Sequence, residues 1–411
     1  MAENYSLKCD DCGSVQSEAY SSFCADCGGL IEARYNLSQV RLRDSDDPNE
    51  RYFDLIPVHD PSLLQPGLRT RTIHARNLGR RLGLNQLYLK DETENRTGTT
   101  KDRMAAVALP FLYEGGVRHF CTSSTGNSST GFAQGIGHLP DMQMELFTAE
   151  DFKDRVHYAP TPQVRHHVLK EASFVDAGEH SIAYAAENGL VAERGFFNLG
   201  RREGLKLPWL EAVEQVSRSI DWYVQAVSSA MGVHGVYKAA KEAVEIGHAD
   251  KVPSLLCAQQ MSCMPMVQAW DEGSEKIEPH HIVTRPHGIA EAILRGNPSR
   301  VYPIIREIVI ESGGTMVAVS DDEIRAAQAH VLEDEGIKIC PSAATAVAAI
   351  AKLASGRSEL ADQKILVNLT GSTREGATPG PVDQWWERQG DKWVEANGAP
   401  QPARSEPSLT A

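Results

Sequence analysis

Strand-like and helix-like segments alternate along most of this chain, and the alternation predicts a doubly wound parallel α/β fold. Three observations carry the expectation. Short apolar runs recur at 87–90, 222–227, 254–259 and 364–371, and helical stretches stand between them. The last run, Lys364-Ile365-Leu366-Val367-Asn368-Leu369-Thr370-Gly371, reads as a buried strand ending in a hydroxyl and a glycine. With 411 residues, 41% hydrophobic and 23% charged, the chain has ordinary globular usage and can build two or three compact units around a large core.

Residues 1–33 carry paired cysteines and read as a small ribbon. A connecting arm covers 34–86, through the acid-rich Asp44-Ser45-Asp46-Asp47-Pro48-Asn49-Glu50 and a proline-bearing stretch over 57–66. The α/β region occupies 87–396. Strands are expected at 87–90, 117–122 and 144–148, and helices at 151–156, 163–172 and 209–219. A strand at 222–227 runs through a glycine-containing turn into a helix over 236–246. A strand at 254–259 follows, then helices over 321–335 and 342–354. The tail 397–411, with Pro400, Pro402 and Pro407, is expected to be disordered. The sequence shows no internal repeats.

The net charge of −14 opposes a nucleic-acid-binding face, which needs a basic patch. It does not oppose an anionic ligand, because a few local donors bind phosphate inside an acidic protein. No long apolar run and no basic-then-apolar leader is evident, so neither a membrane span nor a secretion signal is expected, and the chain reads as cytoplasmic.

Four of the eight cysteines, Cys9, Cys12, Cys24 and Cys27, form two C-x-x-C pairs. That spacing fits a four-thiolate zinc ribbon, with Gly13, Gly28 and Gly29 at the knuckle turns. Two disulfides or a redox pair use the same residues, and the lack of an export signal favours zinc. The metal would be structural, holding a unit with little core of its own. Cys121, Cys257, Cys263 and Cys340 are scattered and read as small buried hydrophobes.

Lys101 stands just past the polar turn Asp91-Glu92-Thr93-Glu94-Asn95-Arg96-Thr97-Gly98-Thr99-Thr100, at the expected start of a helix that continues through the apolar 104–109. Desolvation and the positive end of the helix dipole both favour the free amine that a Schiff base needs. A solvated lysine behind a threonine N-cap fits this segment equally well. Ser123-Ser124-Thr125-Gly126-Asn127-Ser128-Ser129 suits a loop that wraps a polar ligand, or an ordinary strand-to-helix turn. Thr370 stands at the carboxyl end of a buried strand, where open α/β sheets bind ligands. Ser228-Ser229-Ala230-Met231-Gly232 joins a strand to a helix N-terminus and makes an anion site.

These segments together resemble the fold-type II pyridoxal-phosphate enzymes, and within them threonine synthase. The likeness rests on T-G-T-T-K-D-R around Lys101, on S-S-T-G-N-S, on N-L-T-G at 368–371, and on 198–206, which is similar to N-x-x-R-x-E-G-x-K. Gly296-Asn297-Pro298, Glu311-Ser312-Gly313-Gly314 and the E-G-I…P-S-A-A run over 335–344 recur in the same order. The likeness covers about 9–374, and many such chains carry an N-terminal ribbon like this one. It implies two doubly wound α/β subdomains, the smaller at roughly 110–215, in a homodimeric enzyme.

The resemblance also implies roles. Lys101 holds pyridoxal phosphate covalently and then shuttles protons; Asn127 contacts the ring 3′ oxygen; Thr370 hydrogen-bonds the pyridine nitrogen. The turn of Ser228, Ser229, Ala230, Met231 and Gly232 holds the cofactor phosphate. It departs from the family's glycine-rich loop, so serine hydroxyls carry more of the binding. His234 beyond it is expected to be solvated. Arg202 is the first candidate for a substrate phosphate, with Ser124, Thr125 and Asn198 sharing the work; Arg201 beside it leaves the choice of arginine open.

The implied reaction is elimination and replacement on an O-phosphorylated amino acid, as when threonine synthase converts O-phosphohomoserine to threonine and phosphate. A relative acting at the β carbon of O-phosphoserine or O-acetylserine, like cysteate or cysteine synthase, is the alternative. The departures at 228–232, at Ser372-Thr373-Arg374-Glu375-Gly376 and at 259–265 feed it. An inactive zinc-ribbon scaffold is the third reading.

Overall fold

The computed structural model describes residues 4–396, so the expected disorder of 397–411 lies outside them. In chain order the strands are β1 (Tyr5–Cys9), β2 (Ile31–Tyr35), β3 (Thr72–His74), β4 (Leu87–Asp91) and β5 (His119–Ser123). Then come β6 (Gln143–Ala149), β7 (Val164–Leu169), β8 (Val191–Ala192), β9 (Trp222–Ala226) and β10 (Ser254–Gln260). The last four are β11 (Thr315–Val319), β12 (Ile365–Leu369), β13 (Gln384–Gln389) and β14 (Lys392–Glu395). The chain divides into two compact units.

The first unit comprises residues 4–116 and Arg194–Glu375. Its sheet has the order β11-β10-β9-β12-β4-β3, parallel throughout except for β3, which pairs antiparallel with β4. Strand β12 is buried at every position, as a strand covered on both faces must be. The pleat sends Tyr223, Leu255, Cys257 and Leu366 into one core with Trp209, Val236, Ala240 and Ile305. It sends Val224, Leu256, Ala258 and Val367 into another with Ile324, Val331, Val347 and Ile350. The covering helices have clear limits: Asp321–Glu335 opens on a Ser320–Glu323 capping box and closes on Gly336 at φ 72°, and Pro341–Ala354 starts on a proline.

A short helix, Leu199–Gly204, is wedged between Lys101–Glu114 and Met231–Glu245. Two glycines permit the approach. A Cβ on Gly204 would lie 2.3 Å from the Arg103 carbonyl, and one on Gly235 would lie 2.3 Å from the Arg202 carbonyl. The wedge puts Arg201 and Arg202 between the lysine helix and the helix of the 228–232 turn.

The ribbon strands β1 and β2 pair antiparallel and pack Tyr5, Leu7, Ile31 and Ala33 on Phe111 and Leu199. The ribbon therefore belongs to the first unit's core. The arm over 34–86 supplies β3 and the helix Arg76–Leu82.

The second unit comprises Val117–Glu193 and the described chain from Gly376, so its edges differ from the expected 110 and 215. Its sheet has the order β14-β13-β7-β6-β5-β8, with β14 alone antiparallel to its neighbour. The stretch 163–172, expected to be helical, holds β7. Six residues from Val164 to Leu169 are all buried except Arg165, which suits a strand flanked by β6 and β13. The expected helix at 151–156 is a 3₁₀ segment, Glu150–Arg155. The helix expected at 236–246 starts earlier, at Met231, because Gly232 and Gly235 are tolerated in its first turns. No helix among the described residues is long and apolar enough to cross a membrane.

Candidate active site

Three neighbouring strands deliver the parts of the site. In register, Leu369 of β12 pairs with Asp91 of β4, and Val367 with Val224 of β9. Their carboxyl ends lie together, at the edge where parallel sheets bind ligands. From β4 the chain turns through 92–100 and enters the helix at Lys101. Buried Glu92 fixes that turn by accepting from Thr70 Oγ1 at 2.7 Å, Asn95 Nδ2 at 2.9 Å and Arg103 NH2 at 3.0 Å. The Thr100 N–H donates to the Thr370 carbonyl at 3.0 Å, and Thr99 forms a bridge with Gly371. Lys101 and Thr370 are thus held side by side.

Lys101 is half-buried, and among the described residues its amine has no carboxylate or hydrogen-bond partner. Burial, with the nearby charge of Arg201 second, pushes its pKa down to about 8. The solvated reading of this lysine therefore fails. The Thr100 hydroxyl next to it is buried without a partner, a feature the sequence reading missed.

On β9 the chain runs from Ala226 through Ser228 and Ser229 to the helix Met231–Glu245, whose N-terminus has no side-chain cap. Its first N–H groups face the turn. Ala230 caps the helix in the left-handed region, at φ 56° and ψ 25°, where glycine is usual. A Cβ on Gly232 would lie 2.6 Å from the Gln225 amide, so a larger residue here would have to displace the Gln225 side chain. His234 is buried, not solvated as expected; burial pushes its pKa down to about 4, and Glu32 stands 3.6 Å from its Nε2.

The two arginines have different surroundings. Arg202 is fully buried: NH1 donates to the Phe196 carbonyl, and NH2 lies 2.5 Å from the Ile31 carbonyl and 2.9 Å from Glu32. With both terminal nitrogens engaged, it is a structural residue and not a phosphate clamp, which corrects the first choice above. Arg201 is the arginine whose charge reaches Lys101. In the motif N-x-x-R-x-E-G-x-K the arginine falls on 201 when the asparagine is Asn198. Asn198 is fully buried and caps the wedge helix, accepting from Gly200 N–H at 3.0 Å, so its position is structural as well. Glu203 and Lys206 of the same motif join a buried network: Lys206 lies 2.6 Å from Glu203 and 2.9 Å from Glu242, and Lys238 completes the square.

In the second unit, Ser124 is buried and its Oγ accepts from Gly126 N–H at 3.0 Å. Thr125 is half-buried in the same loop, and Asn127 is the first residue of the helix Asn127–Gly135. Gly126 sits at φ 124°, and a Cβ there would lie 2.7 Å from Arg155.

The sulfurs of Cys9, Cys12, Cys24 and Cys27 all lie within 4.8 Å of one another. Cys9 and Cys27 are 3.5 Å apart and Cys12 and Cys24 3.7 Å, too far for disulfides and close to the roughly 3.8 Å edge of a tetrahedral thiolate site.

A family model described as pyridoxal-phosphate dependent enzyme matches residues 63–371. The chain belongs to that family. Among curated relatives, this pyridoxal-phosphate enzyme is 29% identical over 362 residues to a threonine synthase of Methanosarcina acetivorans, covering 85% of this chain and 87% of the other. It is also 29% identical over 393 residues to a cysteate synthase of Methanocella paludicola, covering 91% and 87%. A maize serine racemase shares the fold with a TM-score of 0.61 at 19% identity, over 75% of this chain and 89% of that one. The residues present suit the cofactor: an unpaired amine of lowered pKa, an uncapped helix N-terminus and a strand-end hydroxyl share one sheet edge, with the orphaned Thr100 hydroxyl beside them.

Proposed function

We propose that this enzyme carries out elimination and replacement on an O-phosphorylated amino acid, converting O-phosphohomoserine and water to threonine and phosphate as a threonine synthase does. The observation that carries the reading is the charge of Arg201 beside an unpaired Lys101 amine. That arrangement repels a second cation and attracts a substrate with an anionic arm.

Pyridoxal phosphate, when bound, supplies the electron sink. Lys101 holds it and moves protons at the substrate α carbon. The turn of Ser228, Ser229, Ala230, Met231 and Gly232 receives the cofactor phosphate on its helix N–H groups. Thr370 would offer its hydroxyl to the pyridine nitrogen, and Asn127 is the residue that the family resemblance assigns to the ring 3′ oxygen. Arg201, with Ser124 and Thr125, holds the substrate's phosphate and carboxylate, while Asn198 and Arg202 position the wedge helix. Zinc at the four cysteines is structural. The enzyme works as a cytoplasmic homodimer on a small amino acid.

A second reading, β-replacement on O-phosphoserine, draws support from the Ala230 turn and from equal identity to the cysteate synthase relative. The purified holoenzyme is given O-phosphohomoserine and, separately, O-phosphoserine, and phosphate release is followed with product analysis. Threonine from the four-carbon substrate establishes the first reading; release from the three-carbon substrate alone replaces it with the second. Release from neither sinks both.

A further inference from the structure

Arg295 carries a guanidinium that the fold leaves without a partner. It follows the 3₁₀ turn Glu291–Ile293 and precedes Gly296-Asn297-Pro298. Its Nε is buried, and among the described residues its side chain makes no hydrogen bond or ion pair. Burial alone lowers its pKa, and no carboxylate contributes. The residue as a whole is half-buried, but its Nε is withdrawn from water with no acid beside it, which is costly and calls for an anion.

The surroundings are built for one. The Arg295 backbone N–H donates to the Ile293 carbonyl at 2.9 Å and lies near the Cys263 sulfur, which sets the residue against the turn that leaves β10. In that turn Ser262 has a buried Oγ that is likewise unpartnered. The segment is fixed there: Gln260 Nε2 donates to the Ala290 carbonyl and Gln260 Oε1 accepts from Ala290 N–H, each at 3.1 Å. Gly288, at φ 139°, passes so close that a Cβ would lie 2.4 Å from Ser262 Oγ.

Strand β10 is the neighbour of β9, with Ala258 opposite Ala226, and Val227 N–H donates to the Ala258 carbonyl at 2.9 Å. Paired strands stand about 5 Å apart. The 261–264 turn therefore leaves the sheet beside the 228–232 turn, on the same edge as Lys101.

We propose that Arg295 and Ser262 form an oxyanion subsite beside the phosphate turn that takes a phosphate-class group. The inference rests on the pyridoxal-phosphate reading above for its two sources, the cofactor's phosphate and the substrate's phosphoryl group. The thermal midpoint of the cofactor-loaded enzyme is measured against inorganic phosphate for wild type, Arg295→Gln and Arg295→Lys. Cofactor retention is read from visible absorbance after dialysis.

Phosphate raises the wild-type midpoint. Unless the cofactor's own phosphate occupies the subsite, Arg295→Gln, which removes an unpaired charge, melts no lower than wild type in phosphate-free buffer. If the group belongs to the substrate, Arg295→Gln loses the phosphate-dependent rise, Arg295→Lys keeps part of it, and retention is unchanged. If it belongs to the cofactor, Arg295→Gln releases pyridoxal phosphate about tenfold more readily. If neither the phosphate response nor the retention changes, Arg295 is a packing residue and the proposal is overturned. Neither readout needs turnover, so an enzyme inert toward both phosphorylated substrates refutes the proposed reaction and leaves the subsite standing.

Discussion

The carboxylate of Glu32 meets the guanidinium of Arg202 at 2.9 Å, with both side chains withdrawn from solvent. Glu32 lies on β2, which begins four residues after Cys27, and Arg202 lies on the wedge helix next to Arg201. The same carboxylate faces His234 in the helix that opens at the 228–232 turn. The ribbon thereby fixes the two pieces of backbone that carry Arg201 and the 228–232 turn.

Exchanging the two arginines for glutamine separates their roles. Arg202→Gln strands Glu32 as a buried charge and is expected to cost about 3–5 kcal/mol of stability. Arg201→Gln is expected to raise KM for the phosphorylated substrate about tenfold or more, since one charge-assisted contact contributes about 1.5–3 kcal/mol. Denaturant melts and steady-state kinetics of both variants decide the matter. A large KM effect from Arg202→Gln without destabilisation would reverse the assignment.

The lowered Lys101 pKa has a pH signature. Only the free amine captures the cofactor, so capture by the apoprotein should rise about tenfold per pH unit below 8 and level off above it. Stability of the apoprotein follows the same group. Between about pH 8 and 10.5 the unfolded lysine binds more protons than the folded one, so stability rises with pH across that window, and the cost of burial is felt in full below about 8. Lys101→Ala removes the visible absorbance and flattens both profiles. An intact absorbance band in that variant would place the anchor on another lysine.

Metal removal should act at a distance. Chelation frees the sulfurs of Cys9, Cys12, Cys24 and Cys27, loosens β1 and β2, and withdraws Glu32 from Arg202 and His234. The expected result is a lower thermal midpoint together with weaker cofactor retention, with about one zinc released per chain. A stripped protein that melts and retains cofactor like the native one would show the ribbon to be an appendage.

Much of this was legible in the sequence because it is local. The strands at 87–90, 222–227 and 254–259 and the helices at 321–335 and 342–354 carry their own apolar runs and caps, and the four cysteines carry their spacing. What was not legible depends on contacts between distant segments. The stretch 163–172 becomes a strand because β6 and β13 flank it, and β13 arrives more than two hundred residues later. Arg202 is drawn away from the site by Glu32 and Ile31, which no spacing within 198–206 announces. Arg295 shows its interest only through the carboxylates it lacks.

Ala230 offers a test of the 228–232 turn through its backbone conformation. It sits at φ 56° with a Cβ, and a left-handed conformation costs an ordinary L-residue about 1–2 kcal/mol. Glycine removes that strain but adds about 0.5–1 kcal/mol of unfolded-state entropy. The buried Ala230 methyl, worth about 0.8 kcal/mol, is lost as well, so Ala230→Gly should change stability by less than about 1 kcal/mol and should retain cofactor as well as wild type, because the N–H groups at the start of Met231–Glu245 stay where they are. Ala230→Val should differ: a β-branched side chain is a strong outlier in this region, so the turn must open, and both stability and retention fall. Denaturant melts and absorbance after dialysis measure the two effects. If Ala230→Gly lowers stability by about 2 kcal/mol or more, the left-handed cap is not the conformation the folded turn adopts, and the phosphate-binding geometry built on it fails with it.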